Sequence, residues 1–116
     1  MHTLLILNDP PYGTERTYNG LRLGLAIAKT PDATVTVFLM ADAVGAAKKG
    51  QKTPDGYYNI ERMVKRLAKA PHRVLLCGSC MDARALADTE LVEGAARSTM
   101  DELAREALAS DKTLVF

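Results

Sequence analysis

The sequence predicts a small three-layer α/β/α sandwich with a mainly parallel sheet. Three observations lead there. Four short runs, at residues 4–7, 35–39, 74–77 and 114–116, are apolar but for Thr36 and lack strict alternation, the pattern of strands buried on both faces. Helical patterns separate them, and strands alternating with helices imply right-handed crossovers between parallel strands. The chain has 116 residues, enough for one hydrophobic core and too few for two, so residues 1–116 read as a single domain.

In chain order, the run Leu4-Leu5-Ile6-Leu7 opens the sheet. The loop Asn8-Asp9-Pro10-Pro11-Tyr12-Gly13 follows, rich in turn formers. Leu21, Leu25 and Ala28, with Leu23 and Ile27, mark a first helix. Val35 to Leu39 supplies the second strand, with Asp42 just beyond its end. Residues 45–56, carrying Lys48, Lys49, Gly50, Lys52, Pro54 and Asp55, form an irregular arm, read as a lid, an interface arm or a solvated surface loop. Ile60, Met63, Val64 and Leu67 have the i, i+3, i+4, i+7 spacing of one apolar helix face. Met100, Leu103, Ala104, Ala107 and Leu108 repeat it, and Thr99 with Glu102 forms a capping-box pattern at that helix's start. A strand order 2-1-3 would place a switch point between the first and third strands, bringing the loop 8–13 beside the loop that begins at Cys77. Asp42 would point to the same edge.

Composition restricts function. The chain is 47% apolar and 25% charged, with 15 Lys plus Arg against 14 Asp plus Glu, a formal charge of +1. That supplies no large field for nucleic acid or anionic membrane, so binding of that kind would need a local patch. No apolar stretch approaches the roughly 20 residues that span a bilayer, and Met1-His2-Thr3-Leu4 lacks a basic leader segment. The chain reads as cytoplasmic, where a close pair of cysteines points to chemistry or metal before a structural disulfide.

That pair is Cys77 and Cys80, in Cys77-Gly78-Ser79-Cys80-Met81-Asp82-Ala83-Arg84. It follows a buried strand and opens a short helix from about Ser79. Free amides and partial positive charge at a helix start favour thiolate over thiol, the reactive form. Ser79 is placed to cap, Gly78 permits close approach of another segment, and Arg84 would strengthen the field by folding back. A packed cysteine finishing the strand is the plain alternative. Zinc fits poorly: it takes about four ligands, and the two histidines, His2 and His72, precede strands rather than sharing this loop. A thioredoxin-like dithiol shares the strand–CxxC–helix order but lacks here a preceding tryptophan and a proline pair for the partner loop. There is no phosphate-binding GxxxxGK[ST] loop and no serine-hydrolase elbow, and Gly20 to Gly24 lies inside a helix. Asp9 and Asp82 read as turn or capping residues before a carboxylate pair, and Glu15 and Arg16 as solvated or ion-paired.

Several segments together resemble the DsrE/DsrF-like family, most closely its YchN-like branch. They are Pro11-Tyr12-Gly13, Leu21-Arg22-Leu23, Phe38 to Val44, Gly50-Gln51-Lys52, Gly56-Tyr57-Tyr58-Asn59, Leu76 to Arg84 and the ending Ala109 to Phe116. The resemblance implies a parallel α/β sandwich assembled as trimers or hexamers, with cysteine loops near subunit interfaces. It also implies sulfur chemistry: relatives carry sulfane sulfur as a persulfide on a cysteine ending the third strand, the position of Cys77. The expected site is therefore Cys77 and Cys80, supported by Asn8, Tyr12, Asp42, Gly78, Ser79, Asp82 and Arg84. The expected function is a sulfurtransferase-type carrier needing no metal or organic cofactor, working with sulfur donor and acceptor proteins and with neither nucleic acid nor membrane. A CxxC thiol–disulfide switch and a non-enzymatic oligomeric binding module are the alternatives.

Overall fold

The computed structural model describes all 116 residues. Strands β1 (His2–Leu7), β2 (Thr34–Leu39), β3 (Arg73–Cys77), β4 (Ala95–Ser98) and β5 (Lys112–Val115) form one wholly parallel sheet in the order β4-β3-β2-β1-β5. Burial grades outward from the centre. Every residue of β2 but the first is buried, β1 and β3 are nearly so, and β5 is exposed throughout.

The side chains alternate between two cores. Leu5, Leu7, Val35, Val37, Leu39, Val74 and Leu76 meet Leu21 of α1 (Arg16–Ala28) and Ile60, Val64 and Leu67 of α2 (Ile60–Leu67). On the opposite face Leu4, Phe38, Leu75 and Cys77 meet Leu103 of α4 (Met100–Ala109). The three-layer architecture thus follows from strands apolar on both sides, each fully buried Leu or Phe contributing about 1.5–3 kcal/mol.

Local chemistry fixes the helices. Gly20 and Gly24 face the sheet, where a Cβ on Gly20 would collide with Leu7 and one on Gly24 would crowd Leu5. The Asn59 side chain caps α2 by accepting from the Arg62 amide at 3.2 Å. Thr99 caps α4 through the Glu102 amide at 3.1 Å. The Glu102 carboxylate does not complete a capping box; it accepts from Ser98 and Arg73.

Three expectations are corrected. The strand order is not 2-1-3: β2 stands between β1 and β3, because each crossover from β1 to β4 steps the same way. Only α4 carries the chain back across the sheet, so the reversal lies between β1 and β5. The last apolar run is not buried on both faces: β5 is an edge strand, with Val115 65% exposed. The apolar stripe of α4 buries Leu103 alone, leaving Met100 60% and Leu108 89% exposed. The helix is rotated by its acidic residues, since Glu102 and Glu106 both bind Arg73 and Glu106 also reaches His2.

The arm at 45–56 begins in a 3-10 turn (Ala41–Ala47) and is held down at several points. Lys48 bridges to Leu91, and the Glu61 carboxylate accepts from the Gly50 and Gln51 amides at 3.0 and 2.9 Å. No helix is long and apolar enough to cross a membrane.

Candidate functional site

Cys77 ends β3 and is itself the cap of α3 (Gly78–Ala83). Its Sγ accepts from the Cys80 amide at 3.3 Å and lies 3.3 Å from the Ser79 hydroxyl. The cap expected of Ser79 is thus made by the cysteine sulfur, and Ser79 serves that sulfur from the first turn. Cys80 Sγ accepts from the Ala41 amide at 3.2 Å. Ala41 holds a positive φ of 49° at the end of β2, a conformation few non-glycine residues adopt.

The two thiols are driven apart in acidity. Burial pushes the Cys77 thiol up, but hydrogen bonds from the Cys80 and Ser79 side chains and their amides outweigh it and hold it below the ordinary cysteine value. Cys80 moves the other way: donation to the Cys77 sulfur and burial raise it, against the Ala41 amide and Arg84. Both sulfurs are free thiols.

Cys77 opens on a cleft of about 350 Å³ between the ends of β3 and β4, walled by Ser79, Asp82, Arg97, Ser98 and Met100. Arg97 ties this wall together. It binds the Asp88 and Asp82 carboxylates at 2.8 and 3.0 Å and donates to the Gly78 carbonyl at 3.1 Å. Gly78 is needed for that closeness, because a Cβ there would sit 3.0 Å from Arg97 Nη1 and 3.1 Å from the Ser98 carbonyl oxygen.

The strand order decides which expected residues meet. Gly78, Ser79, Cys80 and Asp82 surround Cys77, while Asp42 joins them through Arg84 at 2.8 Å. Arg84 does not fold back on Cys77; its guanidinium binds Asp42 and the Cys80 carbonyl. Asn8 and Tyr12 lie elsewhere because β2 intervenes. Asn8 donates to the Phe116 carbonyl, and the Tyr12 hydroxyl donates to Gln51 and accepts from the Ile60 amide. Asp9 and Asp82 form no pair: Asp9 accepts from Thr14, and Asp82 binds Arg97. His2 and His72 serve the sheet through Thr34 and the Val35 amide. The cleft residues not anticipated are Arg97, Ser98 and Met100. Their one sequence signal was the Thr99 cap, which marks where the preceding strand must end.

The profile of the DsrE/DsrF-like family matches residues 1–116. The chain belongs to this family. Among its members, the chain is 38% identical over 114 residues to Protein YchN of Escherichia coli, covering 97% of each. It is 34% identical over 116 residues to an uncharacterized protein of Methanocaldococcus jannaschii, covering 100% of both. The crystal structure of the Escherichia coli YchN protein superposes with a TM-score of 0.91 at 38% identity, covering 100% of both chains. A protein of unknown function from Methanobacterium thermoautotrophicum shares the fold, with a TM-score of 0.74 at 14% identity over 99% of this chain and 97% of its own.

Proposed function

We propose that this DsrE/DsrF-like protein is a cytoplasmic sulfurtransferase-type carrier that holds sulfane sulfur as a persulfide on Cys77. The observation that carries the reading is the placement of Cys77 Sγ. It is surrounded by the Cys80 amide and the Ser79 hydroxyl, and it faces a cleft large enough for a second sulfur. Donors aimed at a sulfur stabilise its anion, and the thiolate is the attacking form.

The chemistry is exchange between sulfurs. The Cys77 thiolate attacks the outer sulfur of a donor persulfide; the new bond forms as the donor's S–S bond breaks, and the donor's inner sulfur leaves as a thiolate. An acceptor thiolate then takes the outer sulfur and Cys77 leaves as thiolate. Both steps balance without an external oxidant, metal or organic cofactor. Partners in this reading are donor and acceptor proteins and further copies of the chain, as a trimer or hexamer. Self-association is supported by the apolar side chains that Met100, Leu108 and Val115 leave uncovered.

The test is intact mass after anaerobic incubation with polysulfide, comparing wild type, Cys77→Ser and Cys80→Ser. One reductant-labile sulfur on wild type and Cys80→Ser but not on Cys77→Ser is the expected result. The Cys80 amide, 3.3 Å from Cys77 Sγ, puts both free thiols on one helix turn and favours a second reading, a dithiol switch. Loss of two protons on oxidation, with no added sulfur, would support the switch instead. Neither change would leave a binding module.

A further inference from the structure

A second feature lies away from the cysteines, on the outer surface of the helical layer formed by α1 and α2. A shallow groove of about 410 Å³ runs between these helices, within the size range of small-ligand sites. Its floor is apolar and aromatic: Leu25, Met63, Tyr18 and Tyr58. Its rim is Arg22 and Lys29 from α1 with Arg62 and Arg66 from α2, and no carboxylate lines it.

The cations distinguish this groove from an ordinary solvated surface. Six of the chain's 15 lysines and arginines are ion-paired, and none of the four on this rim is among them. In a chain of net charge +1, mixed signs are the expectation for any exposed face. Four unneutralised charges on one groove repel one another and favour an anion. Their spacing gives the anion's size: seven residues separate Arg22 from Lys29, about 10 Å along a helix, and four separate Arg62 from Arg66, about 6 Å.

The floor adds a second requirement. Tyr18 and Tyr58 stack with centroids 4.1 Å apart, Tyr12 extends the stack at 5.8 Å from Tyr58, and the Arg22 guanidinium lies 5.5 Å from the Tyr18 ring centre. Rings held this way form a rigid platform that loses little entropy when a flat group packs on it. Guanidinium forks match phosphate oxygens two at a time. We propose that the α1–α2 groove binds a nucleotide, its flat base against the tyrosine, methionine and leucine floor and its phosphates on Arg62, Arg66 and Lys29. The groove lies on the helical layer, whereas the cysteine cleft lies at the ends of β3 and β4, and the two share no lining residue, so the ligand takes no part in sulfur transfer and its binding is independent of Cys77.

Calorimetric titration with ADP, adenosine and inorganic tripolyphosphate at about 50 mM salt, where surface charges are lightly screened, tests this, with amide NMR shifts locating the site. ADP saturates with a Kd at or below about 1 mM and moves the amides of Tyr18, Tyr58 and Arg62. The double variant Arg62→Glu/Arg66→Glu keeps the wild-type far-ultraviolet circular dichroism and binds at least tenfold more weakly, whereas Lys112→Glu, on β5, binds as wild type does. Adenosine and tripolyphosphate each bind more weakly than ADP. The proposal is overturned by absence of saturation, by equal affinity in the double variant, or by tripolyphosphate binding as tightly as ADP. It is also overturned if ADP fails to bind while the double variant changes the mass seen in light scattering, which would make the groove a contact between copies. Cys77→Ser leaves ADP binding unchanged, so failure here and failure of the persulfide reading are separately visible.

Discussion

At the scale of single residues, the two cysteines divide the labour of one thiol–thiolate pair. Cys77 collects donors and Cys80 supplies one, so the greater acidity of Cys77 depends on its neighbour. The pH at which the alkylation rate of Cys77 reaches half its maximum should therefore lie below that of Cys80, whose thiol is shifted the other way. Because thiolate fraction rises with pH, the depressed value means more reactive sulfur at neutrality. Cys80→Ala removes the thiol donor and should move the midpoint up, and Ser79→Ala should do so less, both read by iodoacetamide kinetics across pH. Glu61 offers a structural counterpart. Its carboxylate satisfies the Gly50 and Gln51 amides, so Glu61→Ala should cost about 1–3 kcal/mol in urea unfolding and loosen the arm. The cysteine cluster was legible because it is contiguous: Gly78, Ser79, Cys80 and Asp82 are within five residues of Cys77. Asn8 and Tyr12 were misplaced because proximity between loops depends on strand order, which local spacing does not encode.

Among elements, the one the sequence hid is β4. Its residues, Ala95-Ala96-Arg97-Ser98, have no apolar run, because an edge strand with two exposed positions needs none. Its entry is nonetheless tightly specified. Gly94 has φ of 91°, and a Cβ there would collide with the Ala68 carbonyl oxygen, whereas Gly50, with φ of 92°, has open space around it. Comparing Gly94→Ala with Gly50→Ala separates steric clash from backbone conformation. The Gly50 change should cost about 1 kcal/mol, the Gly94 change clearly more, and only the Gly94 change should shift β4 enough to alter Cys77 alkylation. Helix α4 was legible in extent but not in orientation. Its apolar spacing suggested a buried stripe, yet ion pairs from Glu102 and Glu106 to Arg73 turn only the edge of that stripe, at Leu103, toward the sheet.

For the molecule as a whole, strand burial grades from β2 to the edges: the inner strands β1, β2 and β3 carry the apolar runs, whereas β4 has none. Layering was therefore readable and strand order was not. Charge also works at this scale. Glu61, Glu90 and Glu102 are all held below the ordinary carboxylate value, Glu102 by Ser98 and then Arg73. Groups depressed in the folded state stabilise it above their unfolded values, near pH 4.3, and lose that contribution as pH falls through the folded ones. The urea midpoint should drop on acidification below about pH 4.3, less so in Glu102→Gln. The uncovered side chains of α4 and β5 lead to an expected light-scattering mass above that of one chain, with Leu108→Lys reducing it.

The position of β4 also sets a clock. A rim strand of four residues, bonded to one neighbour, opens more often than the strands inside it, and deuterium should enter its amides well before those of β1 and β2. Cys77 sits one strand in from that rim with 8% of its surface accessible. Each brief lifting of β4 would uncover the sulfur from the side, so the rate at which bulky reagents reach Cys77 should follow the breathing of this strand, while small ones enter at the speed of diffusion.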